Sequence, residues 1–236
     1  KANKIINDNL ATGLFVYGTY NNFKSFDHLG NNGQGDGFRD YPAQTQINVA
    51  NRWNYEVHDG LCSQTLINYT HEERLGGQMA FTKDMRGSDS IYGLGGTTDR
   101  VHFFTKNGAP LGNTSSFGTQ VSATYFKQDA YYGLSNYEGI ETDVYANALV
   151  NTMVRGGHNV DFGASFRYTD LEENLYSTPY IGANQFISNL QEGDLRANFI
   201  KEEIVPGVFG QFNFIYDKIF VATVGLRYDY NSLHSK

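Results

Sequence analysis

Between Asn31 and Pro42 the sequence reads NNGQGDGFRDYP. Side-chain oxygens fall two residues apart at Asn32, Gln34 and Asp36, and Asp40 follows four residues on. Hard cations take oxygen ligands at such spacings, and a glycine such as Gly37 permits the sharp turn that wraps a chain around an ion. An EF-hand-like loop, however, opens on Asp between two helical patterns, whereas this one opens on Asn and Gln with no helical pattern on either side. Two readings stand: a Ca2+ loop with Asn32, Asp36 and Asp40 as ligands, or a polar, glycine-rich surface loop. What flanks it decides more than the loop does.

The other chemistry-bearing residues do not assemble into a catalytic pattern. The six histidines, at 28, 58, 71, 102, 158 and 234, show no HExxH or HxH spacing that would suit zinc. THEER at 70–74 places His71 beside Glu72 and Glu73, which reads as a solvated loop edge rather than an acid–base pair. GLGG at 93–96 precedes no helical pattern and reads as a loop tip, not a phosphate cradle. There is no GxSxG, P-loop or CxxC. No enzymatic activity and no obligatory cofactor are expected. Cys62 is the single cysteine; it has no internal disulfide partner and is expected to be a small buried residue. With 18 basic against 25 acidic residues, net charge −7 and no Lys/Arg cluster, the chain lacks the basic surface that a nucleic acid requires.

The elements that must position these residues are strands. Of 236 residues 15% are aromatic, including 17 Tyr and 17 Phe, and 26 Gly against 4 Pro make the chain turn-rich without being a proline linker. Period-two alternation dominates. In KIFVATVGLRYDYN one parity is Phe220, Ala222, Val224, Leu226, Tyr228, and the other includes Thr223, Arg227 and Asp229. HNVDFGASFRYT opposes Val160, Phe162, Ala164, Phe166, Tyr168 to Asp161, Ser165 and Arg167. TQINVANRWNYEV opposes Ile47, Val49, Trp53, Tyr55 to Gln46, Arg52 and Glu56, with Asn51 an exception on the apolar side. SFGTQVSATYF behaves likewise. GIETDVYANALVN sets Ile140, Val144, Ala146, Ala148 and Val150 against Glu141 and Asp143; it also fits a helix, but its strand neighbours favour a strand. Weaker strands are expected at about 12–24, 61–72, 99–106 and 195–216, giving nine, with Pro206 at an edge or bulge and a short helix over QFISNLQEGDLRANF.

The links between these strands alternate in length: long at 25–43, short at 58–60, long at 73–98, shorter at 107–115, medium at 129–138, short at 153–157, long at 173–194 and very short at 217–218. A bacterial outer-membrane barrel has short periplasmic turns and longer extracellular loops. Trp53, Tyr55, Phe212, Phe214 and Tyr216 close inward strands, and Tyr125, Tyr168 and Tyr228 close outward ones, as two aromatic girdles would. Segments of ten or more residues exceed the mean of about 5–6 for soluble strands and meet the about 9–11 needed to span a membrane. No apolar run reaches about 18 residues, which excludes a transmembrane helix; a mean hydropathy of −0.46 suits a barrel as well as a soluble protein. The expected fold is all-β, an antiparallel up-and-down transmembrane barrel seen in part.

Several stretches together resemble the TonB-dependent outer-membrane receptors, in the forms common in Bacteroidetes: GDGFRDYP followed by NRWNYE, then ERLGGQMAF, YGLSNYEG, HNVDFGASFRY and EEIVPGVFGQFNFIYDKIFVATVGLRYDYNSLH, in that family's order from about residue 10 to 236. The resemblance implies a 22-stranded barrel in the outer membrane of a Gram-negative bacterium, plugged by an N-terminal domain and powered by the TonB complex. Such a receptor imports a scarce ligand such as an iron–siderophore, cobalamin or other metal complex. Residues 1–236 would be roughly the first half of the wall, without the plug, the TonB-contacting segment or the later strands; a start at Lys1 without Met fits an internal piece. Its partners would be membrane lipid, the plug and the imported ligand. Arg52, Glu141, Asp143, Arg167 and Arg227 would face the plug or ligand, with Arg227–Asp229 and Arg167–Asp161 as lumen ion pairs. Asp36, Gly37 and Asp40 match the family's DGF.D loop, where calcium would bind; Gln34 replaces a usual Asn and Asn32 a usual Asp, which removes charge from the site. A passive porin-like channel and a soluble all-β binding or adhesion module are the rival readings.

Overall fold

A computed structural model of the chain describes residues 1–21, 27–28, 35–57, 60–177, 195–216 and 220–234. Strand formers alternating over long runs and broken by glycine-bearing turns give ten strands. They are β1 (Ala2–Asn7), β2 (Leu10–Asn21), β3 (Ala43–Glu56), β4 (Cys62–Gly77), β5 (Gly93–Leu111), β6 (Ser115–Tyr132), β7 (Ser135–Val154), β8 (His158–Ser177), β9 (Leu195–Tyr216) and β10 (Phe220–Asp229). All pair antiparallel in sequence order, as one up-and-down sheet whose open edges are β1 and β10. Among the described residues there is no α-helix, only single 3-10 turns at Lys83–Met85 and Ser232–His234.

The sheet is one layer. The only buried large apolar side chains among the described residues are Phe81 and Tyr131, with the small Ala130 beside Tyr131 in β6. Stability therefore rests on backbone ladders and cross-strand pairs rather than on a core between two layers.

Several expectations need correction. Among the described residues there are ten strands, not nine: β1 returns into β2 through the two-residue turn Asp8–Asn9. The link placed at 129–138 is strand except for Gly133–Leu134, where Gly133 at φ 59° allows a tight reversal. GLGG opens β5, and THEER lies inside β4, so neither is a loop. Residues 195–199 of the expected short helix are β9; the rest of that segment lies outside the described residues. The expected strand at 140–151 is present, within β7, whereas Pro206 sits inside β9 opposite Phe166 with no register shift rather than at an edge or bulge. Cys62 is exposed, not buried.

Candidate functional site

Residues directly opposite one another in an antiparallel ladder share a face. From β2 to β10 the register runs without a slip, so the two parities form two continuous faces. One carries Leu14 and Val16, Ile47 and Val49, Ile67, Phe103, Val121, Val144, Phe162 and Phe166, Val208, and Val224 and Leu226. Most of these side chains are open to the surroundings, Phe162 being 50%, Val208 57% and Leu226 82% exposed, while Val49, Phe103, Val121 and Val144 are half-buried. No Asp, Glu, Lys or Arg of β2–β10 falls on this face between Leu10 and Tyr20, Ile47 and Tyr55, Phe117 and Tyr125, Val160 and Tyr168, or Phe220 and Tyr228. The exception Asn51 is satisfied locally, its Nδ2 donating to Thr12 Oγ1 and Gly13 O at 3.1 Å each while its Oδ1 accepts from Trp53 Nε1. At the short-turn border His158 stacks on Phe214 at 4.8 Å.

This apolar band drifts against the hydrogen-bonded rows. One row runs Tyr55–Ser63–Asn107–Thr119–Ala148–Ala164–Val208–Tyr228. Tyr55 is the last apolar-parity residue of β3 at the short-turn end, Ala164 is midway along 160–168, and Tyr228 closes β10 at the opposite end. The row thus crosses the full band, eight residues, in seven strand steps. With a rise of about 3.4 Å per residue and about 4.8 Å between strands, the band is level only if the strands lean by about 40°. Nine residues at that lean make a belt about 21 Å high.

Beyond the band, at the long-loop end, the same parity turns polar: His71, Glu73, Asp99, Lys127, Asp129, Glu138, Asp170 and Glu172. His71 Nδ1 meets Asp99 Oδ1 at 2.8 Å and Lys83 Nζ meets Glu73 Oε2 at 2.6 Å. The hydrogen bonds from His71 and then Tyr69 hold the Asp99 carboxyl below its ordinary range, and the Lys83 ammonium does the same for Glu73.

The opposite face carries Arg52, Glu141, Asp143, Arg167 and Arg227, all five sequence-predicted residues, but it does not gather them into one site. Arg167 Nε donates to Asp143 Oδ2 at 2.8 Å, and Thr169 Oγ1 donates to the same oxygen at 2.9 Å. Arg227 grips Asp229 through Nε and Nη2, both at 2.7 Å, and its Nη2 also reaches Ser165 Oγ at 2.9 Å. The expected Arg167–Asp161 pair is not formed; Asp161 instead accepts from Asn151 and Asn213, because the diagonal from Arg167 across to β7 leads to Asp143. Arg52 Nε donates to Asn54 Oδ1 at 3.0 Å. Among the described residues neither Arg52 nor Glu141 forms an ion pair.

The rim at the long-loop end is built, and sequence reasoning missed it. Residues 35–40 dock on 77–81: Arg39 N donates to Gly77 O and Met79 N to Gly37 O, while the Arg39 guanidinium reaches the carbonyls of Gln78, Met79 and Phe81 at 3.0, 3.2 and 2.8 Å. Phe81 packs on Tyr131 with ring centres 6.0 Å apart, in space kept by Gly93. Arg86 lies 4.7 Å over the Tyr131 ring and forks onto Asp129 at 3.0 and 2.8 Å. Burial raises the Tyr131 phenol pKa; Tyr137, whose hydroxyl donates to Glu173 at 2.7 Å, is pushed up to about 12. The only sequence-level signal was the density of glycine and aromatic residues around 76–96.

In the candidate calcium loop Asn32 lies outside the described residues. Asp36 Oδ1 accepts from Phe38 N at 2.9 Å and Asp40 Oδ2 from His28 N at 2.5 Å, while Asp27 accepts from the backbone of Asp36 and Gly37 at 2.8 Å each. Here the carboxylates brace backbone. Among the described residues no group of three or more His, Cys, Asp or Glu side chains is arranged to hold a metal ion.

Fold and faces define a class: a single-layer antiparallel meander with one uncovered apolar face and one polar face of paired charges. No protein-family model and no curated protein matches the sequence.

Proposed function

We propose that this chain is part of the wall of a bacterial outer-membrane β-barrel of the TonB-dependent receptor kind, importing a scarce ligand, with its apolar face in lipid and its polar face toward the lumen and plug. The observation that carries the reading is the uncovered apolar band. A soluble sheet also segregates charge by parity, but it covers its greasy face with a second layer, and the described residues contain none. The drift of that band supports the same reading. A lean of about 40° lies within the 35–45° of membrane barrels, and a belt of about 21 Å approaches their apolar height of about 25 Å. The open edges at β1 and β10 would pair with further strands, since unpaired backbone in hydrocarbon costs several kcal/mol per group.

Spin labels placed singly at 222, 224 and 226, and at 221, 223 and 227, in a Cys62→Ser background of the complete protein in phospholipid vesicles, test this. The even positions should be accessible to oxygen dissolved in lipid, and the odd ones to a water-soluble relaxation agent. Water access at all six positions would refute the reading. Uptake that survives collapse of the proton gradient would replace the receptor with a passive channel.

A further inference from the structure

At the hairpin end of β6 and β7, Tyr132, Ser135 and Ser177 form one row on the polar face. Residues 88–92 come over the strand ends to meet them. Tyr92, Tyr132, Ser88, Asp89, Ser135 and Ser177 line a recess of about 510 Å3, within the range of ligand sites, about 300–1,000 Å3. Its two tyrosines present large open surfaces, 44% exposed at Tyr92 and 54% at Tyr132. Tyr92 is held in place: its backbone N–H donates to Gln78 Oε1 at 2.9 Å, and its ring lies so close over Gly133 that a Cβ there would come within 3.1 Å of it. Gly133 is therefore needed both for the turn and for the seat of the ring.

The recess suits a particular chemistry. Serine hydroxyls surround it: Ser135 Oγ shares one hydrogen bond with Ser177 Oγ at 2.7 Å, whereas Ser88 Oγ is used within its own turn, with Ser90 Oγ at 3.0 Å and accepting from the backbone N–H groups of Ser90 and Ile91 at 3.3 and 3.4 Å. A hydroxyl that spends one hydrogen bond on a neighbour keeps capacity for another. Among the described residues, Asp89, which is negative, is the only charged one lining the recess. The neighbouring rim cations are committed, Arg39 to loop carbonyls and Arg86 to Asp129. Among the described lining residues an anionic chelate would find no counter-charge, whereas a neutral polyhydroxylated ring can lay its C–H face on a tyrosine and share its hydroxyls with serine and aspartate.

We propose that this recess is a subsite for a sugar residue of an uncharged glycan, placed on the lumen side of the outer mouth. The proposal rests on the import-barrel reading and narrows its cargo. The test is calorimetry on the complete protein in a sugar-free detergent. The probes are hexasaccharides of α-1,4-glucan, β-1,4-glucan and β-1,4-mannan, with a ferric tris-catecholate and tetraethylammonium as charged comparators. At least one hexasaccharide should bind. Tyr132→Ala should weaken it about tenfold and Tyr132→Phe less than about threefold, because the ring face rather than the phenol carries the contact. Tyr132 is exposed, so its truncation leaves the rim packing intact. Absence of hexasaccharide binding, tighter binding of either charged probe, or indifference to Tyr132→Ala would overturn the proposal. A spin label at 224 in the same samples separates the two readings: if it stays shielded from water, the barrel stands although the sugar site fails.

Discussion

If hydrocarbon covers the apolar face, an arginine placed there should cost according to its depth and not according to its sterics. Ala164 is the sharpest position. It lies midway along the apolar stretch 160–168 of β8, in the interior of the sheet, and is exposed, with Ala148 and Val208 as its row neighbours. An arginine would displace nothing there. Were this face wet, Ala164→Arg would behave as a surface change within about 0.5 kcal/mol. In lipid it should cost about 2–4 kcal/mol, the value for Arg at the midplane, or about 30- to 700-fold in the folding equilibrium. Asp170→Arg, on the same strand and face but six residues nearer the rim, should cost under about 1 kcal/mol. Folding of the complete protein into phosphatidylcholine vesicles, titrated with guanidinium and read by tryptophan fluorescence from Trp53, measures both. Equal, small effects at 164 and 170 would refute the lipid assignment, and so would a larger cost at 170.

The Asp99 and Glu73 carboxyls titrate lower in the folded chain than in the unfolded one. Their contribution is therefore full above the ordinary carboxylate range and fades as pH falls through the depressed values; hydrogen-exchange protection of 71–74 and 83–99 should drop below about pH 4, and less steeply in Asp99→Asn. Tyr137 should be the last described tyrosine to ionise in an absorbance titration, near 12, and Glu173→Gln should return it toward about 10; a Tyr137 that ionises with the bulk of the tyrosines would contradict the Glu173 contact. Arg39→Ala removes three charge-assisted hydrogen bonds to loop carbonyls and should loosen 77–90 by about 2–4 kcal/mol. Faster protease nicking there, with an unchanged global unfolding midpoint, is expected, and an unchanged nicking rate would show that the clasp is not what holds the loop.

Face assignment was legible because it needs only parity: every apolar and polar residue named from the alternation of 47–57, 158–169 and 219–230 stands on the face expected of it. Strand existence failed where parity was weak. β1, ANKIIN, is six residues with its two isoleucines adjacent, so it shows no alternation. Strand ends failed where composition imitated a loop. DAYYGLSNYEG reads as a turn-rich link, but its aromatic residues are strand positions around one two-residue reversal, and the glycines at 93–96 leave room for Phe81 and Tyr131 instead of breaking β5. Of the two expected ion pairs, Arg227–Asp229, two residues apart on one strand, is formed, whereas Arg167 finds Asp143 rather than Asp161 because register, a long-range property, sets the diagonal. The drift of the band likewise needs seven registers at once, and no single strand contains it.

On the proposed reading the two faces would divide the work of recognition unequally. On the polar wall Arg167 with Asp143 and Arg227 with Asp229 are closed pairs, whose fields cancel beyond a few ångströms and are further screened by salt. Such a wall gives little electrostatic preference for any one cargo and suits contact with another polar body of mixed charge. Arg52 is not paired in this way: it faces a groove of about 790 Å3 with Asn54 beside it instead of a carboxylate. Discrimination then falls to places where side chains are fixed yet not used up. The rim would meet both conditions under the proposed reading, because Arg39 and Arg86 spend their hydrogen bonds in holding the loop while the faces of Tyr92 and Tyr132 and the Ser135–Ser177 hydroxyl pair stay open. Strands β6 to β9 run about 7–9 residues past the last apolar row, roughly 20 Å at the inferred lean, so on the proposed membrane reading this surface would stand clear of the bilayer, where a large solute would meet it first.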